Sequence, residues 1–176
     1  IYHCEGDGVQ ITINNSGGQT SLNHIYVGRN IAYENKQVGF WCKYSEDVIF
    51  SENISHDHRQ SNTANGAGMG CQYGPARIWW LYNTIYNCDA GISMASANDG
   101  LANSSYAIGN VIYNIHGSTV ETQNPDGTYN AYAFEANSAG TNIHVVNNTI
   151  VNCDGGIRST TVGGSTPINI QNNIIS

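Results

Sequence analysis

Residues 85–92 read "IYNCDAGI", and the phrase returns as "IYHCEGDGV" at 1–9 and "IVNCDGGI" at 150–157. Apolar and aromatic residues, an amide or imidazole, a cysteine, an acid and a glycine travel together through the chain. Such self-similarity points to a stacked repeat. The unit emerges when the chain is aligned on the asparagines Asn30, Asn53, Asn83, Asn110, Asn148 and Asn173. Their spacings are 23, 30, 27, 38 and 25 residues, a fixed minimum with excursions, which means a constant unit plus loops of variable length.

Five positions before each asparagine stand Ile25, Val48, Ile78, Ser105, Ile143 and Ile168, and three before stand Val27, Phe50, Trp80, Ala107, Val145 and Ile170. The column between them is mixed: Tyr26, Ile49, Trp79, Tyr106, His144 and Asn169. Apolar columns two residues apart mark a strand with one buried face. A second strand follows the glycine or alanine that closes each phrase. Its inward columns are Val9, Phe40, Met69, Ile92, Tyr132, Ile157 and Ile11, Cys42, Cys71, Met94, Phe134, Ser159. The columns beginning with Gln10 and Trp41, and with Thr12 and Lys43, are expected to face water, with Ala133 in the first and Glu135 in the second. A short third strand carries Ile85, Ile112 and Ile150 inward.

Three strands per turn with Asn and Gly corners make a rung of a parallel β-helix, in which like residues stack ~4.8 Å apart and asparagines can form amide ladders. The sequence predicts a single all-β domain over residues 1–176, a right-handed parallel β-helix of about six rungs. Rungs are incomplete at both ends, so the chain reads as a segment of a longer protein.

Composition agrees with a corner-rich solenoid. Of 176 residues, 24 are Asn and 20 are Gly, types that tolerate left-handed backbone, while charged residues make up only 11%. A net charge of −7 with no basic run argues against nucleic acid as a partner, and no apolar run is long enough to span a membrane. Five cysteines without C-x-x-C spacing read as buried free thiols, three of them (Cys4, Cys88, Cys153) in one column.

Chemistry is expected where loops break the repeat. The insertions at 60–67 and 117–130 precede the second strand and that at 97–105 leaves it, so together they would wall a groove over its outer face. Trp41, Lys43, Gln72, Glu135 and Arg158 are placed on that face, with Lys43 and Glu135 three rungs apart in one column. His56 and His58 in "HDHR" are two apart and would share a strand face, as an acid–base pair or metal ligands, although His58 falls in the cysteine column. Arg29 and Glu52 are expected to form a cross-rung ion pair. A hydrolase would need two carboxylates ~5–10 Å apart, and the exposed second-strand columns hold only Glu135.

The pattern resembles the right-handed parallel β-helix superfamily, which includes many carbohydrate-active enzymes and tailspike-like proteins. "WCKYSEDVIFSEN" (41–53), followed one rung later by "GCQYG" (70–74), is similar to the catalytic surface of the chondroitinase B and alginate lyase family. That resemblance implies β-elimination on an acidic polysaccharide with Lys43 as base; on this reading Trp41, beside it on the same face, is expected to be a sugar-stacking platform. Gln72 and Tyr73 stand where the family has arginine and histidine, so Arg59, Arg77 or Gln72 would neutralise the substrate carboxylate. Phe40 and Trp41 replace the family's metal-holding glutamates, which leaves a calcium site without assignable ligands. The class implies an extracellular or periplasmic protein. The alternative is a non-catalytic β-helix that binds glycan or serves as an adhesin or spike shaft.

Overall fold

The computed structural model describes residues 1–13, 22–59, 61, 64–94, 103–117, 131–136, 141–159 and 168–176. Three parallel six-stranded sheets enclose one apolar interior. The first sheet stacks Val9–Ile11, Phe40–Lys43, Ala67–Gln72, Ala90–Met94, Tyr132–Ala136 and Gly155–Ser159. The second stacks Leu22–Gly28, Ser45–Ser51, Ala76–Leu81, Asn103–Ile108, Thr141–Val146 and Ile168–Gln171. The third stacks Ile31–Tyr33, Ile54–His56, Thr84–Tyr86, Val111–Ile115, Thr149–Cys153 and Ile174–Ile175. The described residues contain no helix, and so none long and apolar enough to cross a membrane. The chain is an all-β parallel solenoid, as the repeat predicts.

Left-handed residues turn the chain between sheets. One corner file runs Arg29, Glu52, Tyr82, Gly109, Asn147 and Asn172, each with φ between 53° and 68°. Another runs His3, Glu34, Asp57, Asn87, Asn114 and Asn152, with φ between 50° and 58°. Asparagine takes this conformation at low cost, which accounts for its abundance. The early rungs put charged and aromatic residues there instead. At the first file the charges pair across rungs, Arg29 Nε reaching Glu52 Oε2 at 2.8 Å.

Beside the first corner the six aligned asparagines form the expected ladder. Asn110 shows the pattern: its Oδ1 accepts from the backbone N–H and the amide of Asn83, at 2.9 and 3.0 Å. Its own amide nitrogen donates to Asn148 Oδ1 and to the Trp80 carbonyl, both at 2.9 Å. The same bonds join Asn30 to Asn53, Asn53 to Asn83, and Asn148 to Asn173. Each side chain must accept on one side and donate on the other, so aspartate, an acceptor only, cannot substitute.

Inside, Phe40, Phe50, Trp80, Met69, Ile78, Ile85 and Phe134 are fully buried with the aliphatic columns. Cys42 and Cys71 are neighbours in the core, and all five cysteines are free. Ser105 replaces an aliphatic residue between Ile78 and Ile143, and its buried hydroxyl has no hydrogen-bond partner.

One register differs from expectation. Ile92 pairs with Phe134, not Tyr132, and Ser93 pairs with Glu135, so the fifth strand of the first sheet is shifted by two residues. The parity is the same, and the choice follows from burial: Phe134 has no polar atom to satisfy, whereas a core Tyr132 hydroxyl would need a partner. Glu135 therefore belongs to the Trp41 column and not to that of Lys43. Tyr132 instead packs under the Arg158 guanidinium, 4.9 Å from its ring centroid.

Candidate functional site

Trp41 projects outward from the first sheet as its parity requires, yet it is only 6% exposed. The next residue in its column is Gly70, and a side chain there would collide with the indole. The glycine leaves a trough that Trp41 fills, and Val38, Ala64, Ala67 and Ala90 pack around it. Gly70, Ser93 and Glu135 in the same column are also buried. The expectation that this column faces water is thus corrected: the segment around Ala64 and Asn65 lies over it, and Asn65 donates to Ser93 Oγ at 3.1 Å. That segment belongs to the insertion at 60–67, the predicted groove wall. Residues 118–130 and 95–102, which hold most of the other two insertions, lie outside the described residues.

At the edge of this cover a cavity of about 240 Å³ opens, lined by Asp7, Gln37, Val38, Trp41, Lys43, Ala64, Asn65 and Gln72. Lys43 and Gln72 are register partners on adjacent strands. The Lys43 ammonium stands 5.9 Å from the Tyr73 ring centroid, and Tyr73 stacks on Tyr44 at 5.2 Å. Asp7 accepts a hydrogen bond from Gln10. Burial raises its pKa above the usual carboxylate value, against the opposing pull of Gln10 and Lys43. The pocket therefore offers one ammonium, one carboxyl group, three side-chain amides and an indole edge.

Trp41, Lys43 and Gln72 were expected together and line one cavity, with Tyr73 beside it. Asp7, Gln37 and Asn65 were not singled out by sequence, although Asn65 lies in an insertion expected to border the groove. The other candidates lie elsewhere. Arg59 pairs with Asp89, a buried carboxylate, at 3.2 Å on the corner beyond the third sheet. Arg77 is held by Asp47 at 2.7 Å and Glu46 at 2.8 Å, and these hydrogen bonds, Asp47's foremost, raise its pKa further. Glu135 and Arg158 face each other at 3.5 Å, with Glu135 three rungs from Trp41, roughly 14 Å away.

The two histidines do not share a face, because Asp57 between them has φ 58° and reverses the alternation. His56 points outward, stacked between Tyr33 and Tyr86 at 5.1 and 4.6 Å. His58 points inward and is fully buried in the cysteine file. Its Nδ1 accepts the Asn35 backbone N–H at 3.3 Å, so Nε2 carries the proton and donates to Ser55 Oγ at 3.1 Å. Ser55 in turn donates to the Gly68 carbonyl at 2.7 Å, and Gly39 has no side chain to obstruct the group. Burial lowers the His58 pKa to about 4, so the ring is neutral at pH 7. It is a packing residue. Among the described residues no three His, Cys, Asp or Glu side chains converge on a site that could hold a metal.

No protein-family model, no curated protein and no solved structure matches this chain.

Proposed function

We propose that the chain is a carbohydrate-binding β-helix whose Trp41–Lys43–Gln72 cavity receives one acidic sugar residue of a polysaccharide. The supporting observation is the convergence of Lys43 with Gln72, Gln37 and Asn65 beside a largely buried indole. Amides both donate and accept, which suits a ring of hydroxyls, and the ammonium suits a carboxylate. Asp7 would repel that carboxylate when ionised, and the Lys43 ammonium on the same cavity opposes that repulsion.

A second reading is β-elimination, favoured by the closeness of Lys43 and Tyr73. Lys43, as free amine, would take the proton on the carbon next to the uronate carboxylate. The electron pair would form the carbon–carbon double bond, the glycosidic oxygen would leave, and Tyr73 would protonate it. Gln72 would hydrogen-bond the carboxylate as charge builds. Neither Arg59 nor Arg77 lines the cavity, which is why binding without turnover is preferred.

The test is affinity electrophoresis through alginate, polygalacturonate and chondroitin sulfate, alongside ultraviolet detection of unsaturated product. Retardation that Lys43→Ala weakens supports binding, and product formation that Lys43→Ala abolishes supports elimination. Wild-type protein that is neither retarded nor productive on any acidic polymer refutes both.

A further inference from the structure

On the outer face of the second sheet the central column runs Tyr26, Ile49, Trp79, Tyr106, His144 and Asn169. From Trp79 onward it is a ladder of flat groups. Trp79 and Tyr106 stack at 5.5 Å and 7°, Tyr106 and His144 at 4.9 Å and 12°, and His144 meets the Asn169 amide at 3.3 Å. The ladder stops at Ile49, whose side chain is too short to cover the indole beside it. Tyr26 does not complete it, because its ring is laid over Gly28, where any side chain would strike the phenol. What remains is a notch of about 390 Å³ lined by His24, Ile25, Tyr26, Asp47, Ile49 and Trp79.

We propose that this notch is a second saccharide subsite, in which a pyranose ring of a polysaccharide seats its C–H face on Trp79 above Ile49. The floor is apolar and flat, while the rim carries the Asp47 carboxylate and the His24 imidazole. A pyranose has the same division, with apolar faces and hydroxyls at its edge. A purely apolar occupant would bury Asp47 and His24 without new hydrogen bonds, at a cost. A phosphate-bearing occupant would meet Asp47 and Glu46 in a chain of net charge −7. Asp47 is fixed for the role: its Oδ1 and Oδ2 each accept from Arg77, at 2.7 and 2.9 Å.

The location adds to the argument. Lys43 of the first cavity and Asp47 of the notch are four residues apart across one corner, at most about 14 Å along the chain. Between them, the stacked Tyr44–Tyr73 pair caps the corner. One short run of sugar units can therefore occupy both sites. The notch does not rest on the first cavity, and it stands even if the Lys43 pocket binds nothing.

The experiment uses the full chain in affinity gels containing polygalacturonate, alginate, xylan or hydroxyethyl cellulose. At least one polymer is expected to retard the protein. Ile49→Tyr, which fills the notch and continues the ladder, should weaken that retardation roughly tenfold with circular dichroism and melting unchanged. Trp79→Ala should weaken it as much, and a Lys43→Ala chain should retain the part that Ile49→Tyr removes. Acidic against neutral gels tell whether the ring needs a carboxylate. The proposal is overturned if no polymer retards the wild type, or if Ile49→Tyr and Trp79→Ala both migrate as wild type. Loss in Lys43→Ala alone would also overturn it while leaving the first cavity standing.

Discussion

The asparagine corner and the outer face of the first sheet are built from the same stacked rungs, yet they obey opposite rules. At the corner every rung supplies the same residue, and each amide is complete only when its neighbours are amides too. On the outer face the column runs Gln10, Trp41, Gly70, Ser93, Glu135 and Arg158, and nothing repeats. There each residue fits its neighbours by contrast: Trp41 lies where Gly70 leaves room, and Arg158 sits against Glu135. Uniform files hold the coil together, and irregular files make pockets.

The sharpest way to break the contrast is to damage one uniform file. Asn110→Ala strands the Asn83 N–H and the Trp80 carbonyl in the interior and should cost about 4 kcal/mol in urea unfolding. Asn110→Asp should be no better, since it adds a buried charge without a donor. A smaller loss is expected from acid at the His58 file. The unfolded histidine binds its proton near 6.5 and the folded one only near 4. Stability is full above the unfolded value, falls as pH drops from 6.5 towards 4, and then levels off for this group. The total is roughly 3 kcal/mol. His58→Asn, which keeps an acceptor for the Asn35 N–H but cannot gain a proton, should flatten that slope.

On the irregular face, Gly70→Ala puts a methyl group against both the Trp41 indole and the Ser93 backbone carbonyl, and should push Trp41 out of its trough. The expected loss is about 2 kcal/mol, with greater quenching of tryptophan fluorescence by acrylamide and weaker glycan retention. An unchanged fluorescence would mean that the indole does not need the glycine. The smallest effect should be a gain: Ser105→Ala removes a buried hydroxyl without a partner and should raise the unfolding midpoint by about 1 kcal/mol in stability. If Ser105→Ala instead destabilises, the hydroxyl has a partner after all.

The same contrast explains what could be read from sequence. The Asn30-to-Asn173 file was legible because an amide ladder forces identity at every rung. The inward columns were legible because they are apolar at nearly every rung, with Ser105 a buried exception. The register at Tyr132–Ala136 was not, since the 38-residue interval from Asn110 to Asn148 leaves spacing unconstrained. Tyr132 and Phe134 then share the right parity, and only the phenol's need for a partner separates them. Parity placed Trp41, Lys43 and Gln72 on one face, but it says which side a residue takes and not whether another segment covers it. The glycine beside Trp41 was the available signal. His56 and His58 were misplaced because strand alternation was carried across Asp57, where the backbone turns left-handed.

The amide file also has a direction. In each link between asparagines the oxygen of the later residue accepts from the amide of the earlier one, so the links all run one way. The solenoid's strands can therefore be lost only in whole steps: excising everything from one file asparagine up to the next rejoins the amide file, whereas losing a residue inside a strand throws that rung's columns out of register, and only the loops, which already differ in length from rung to rung, absorb smaller changes. Tolerance to deletion is therefore quantised in the strands and graded in the loops.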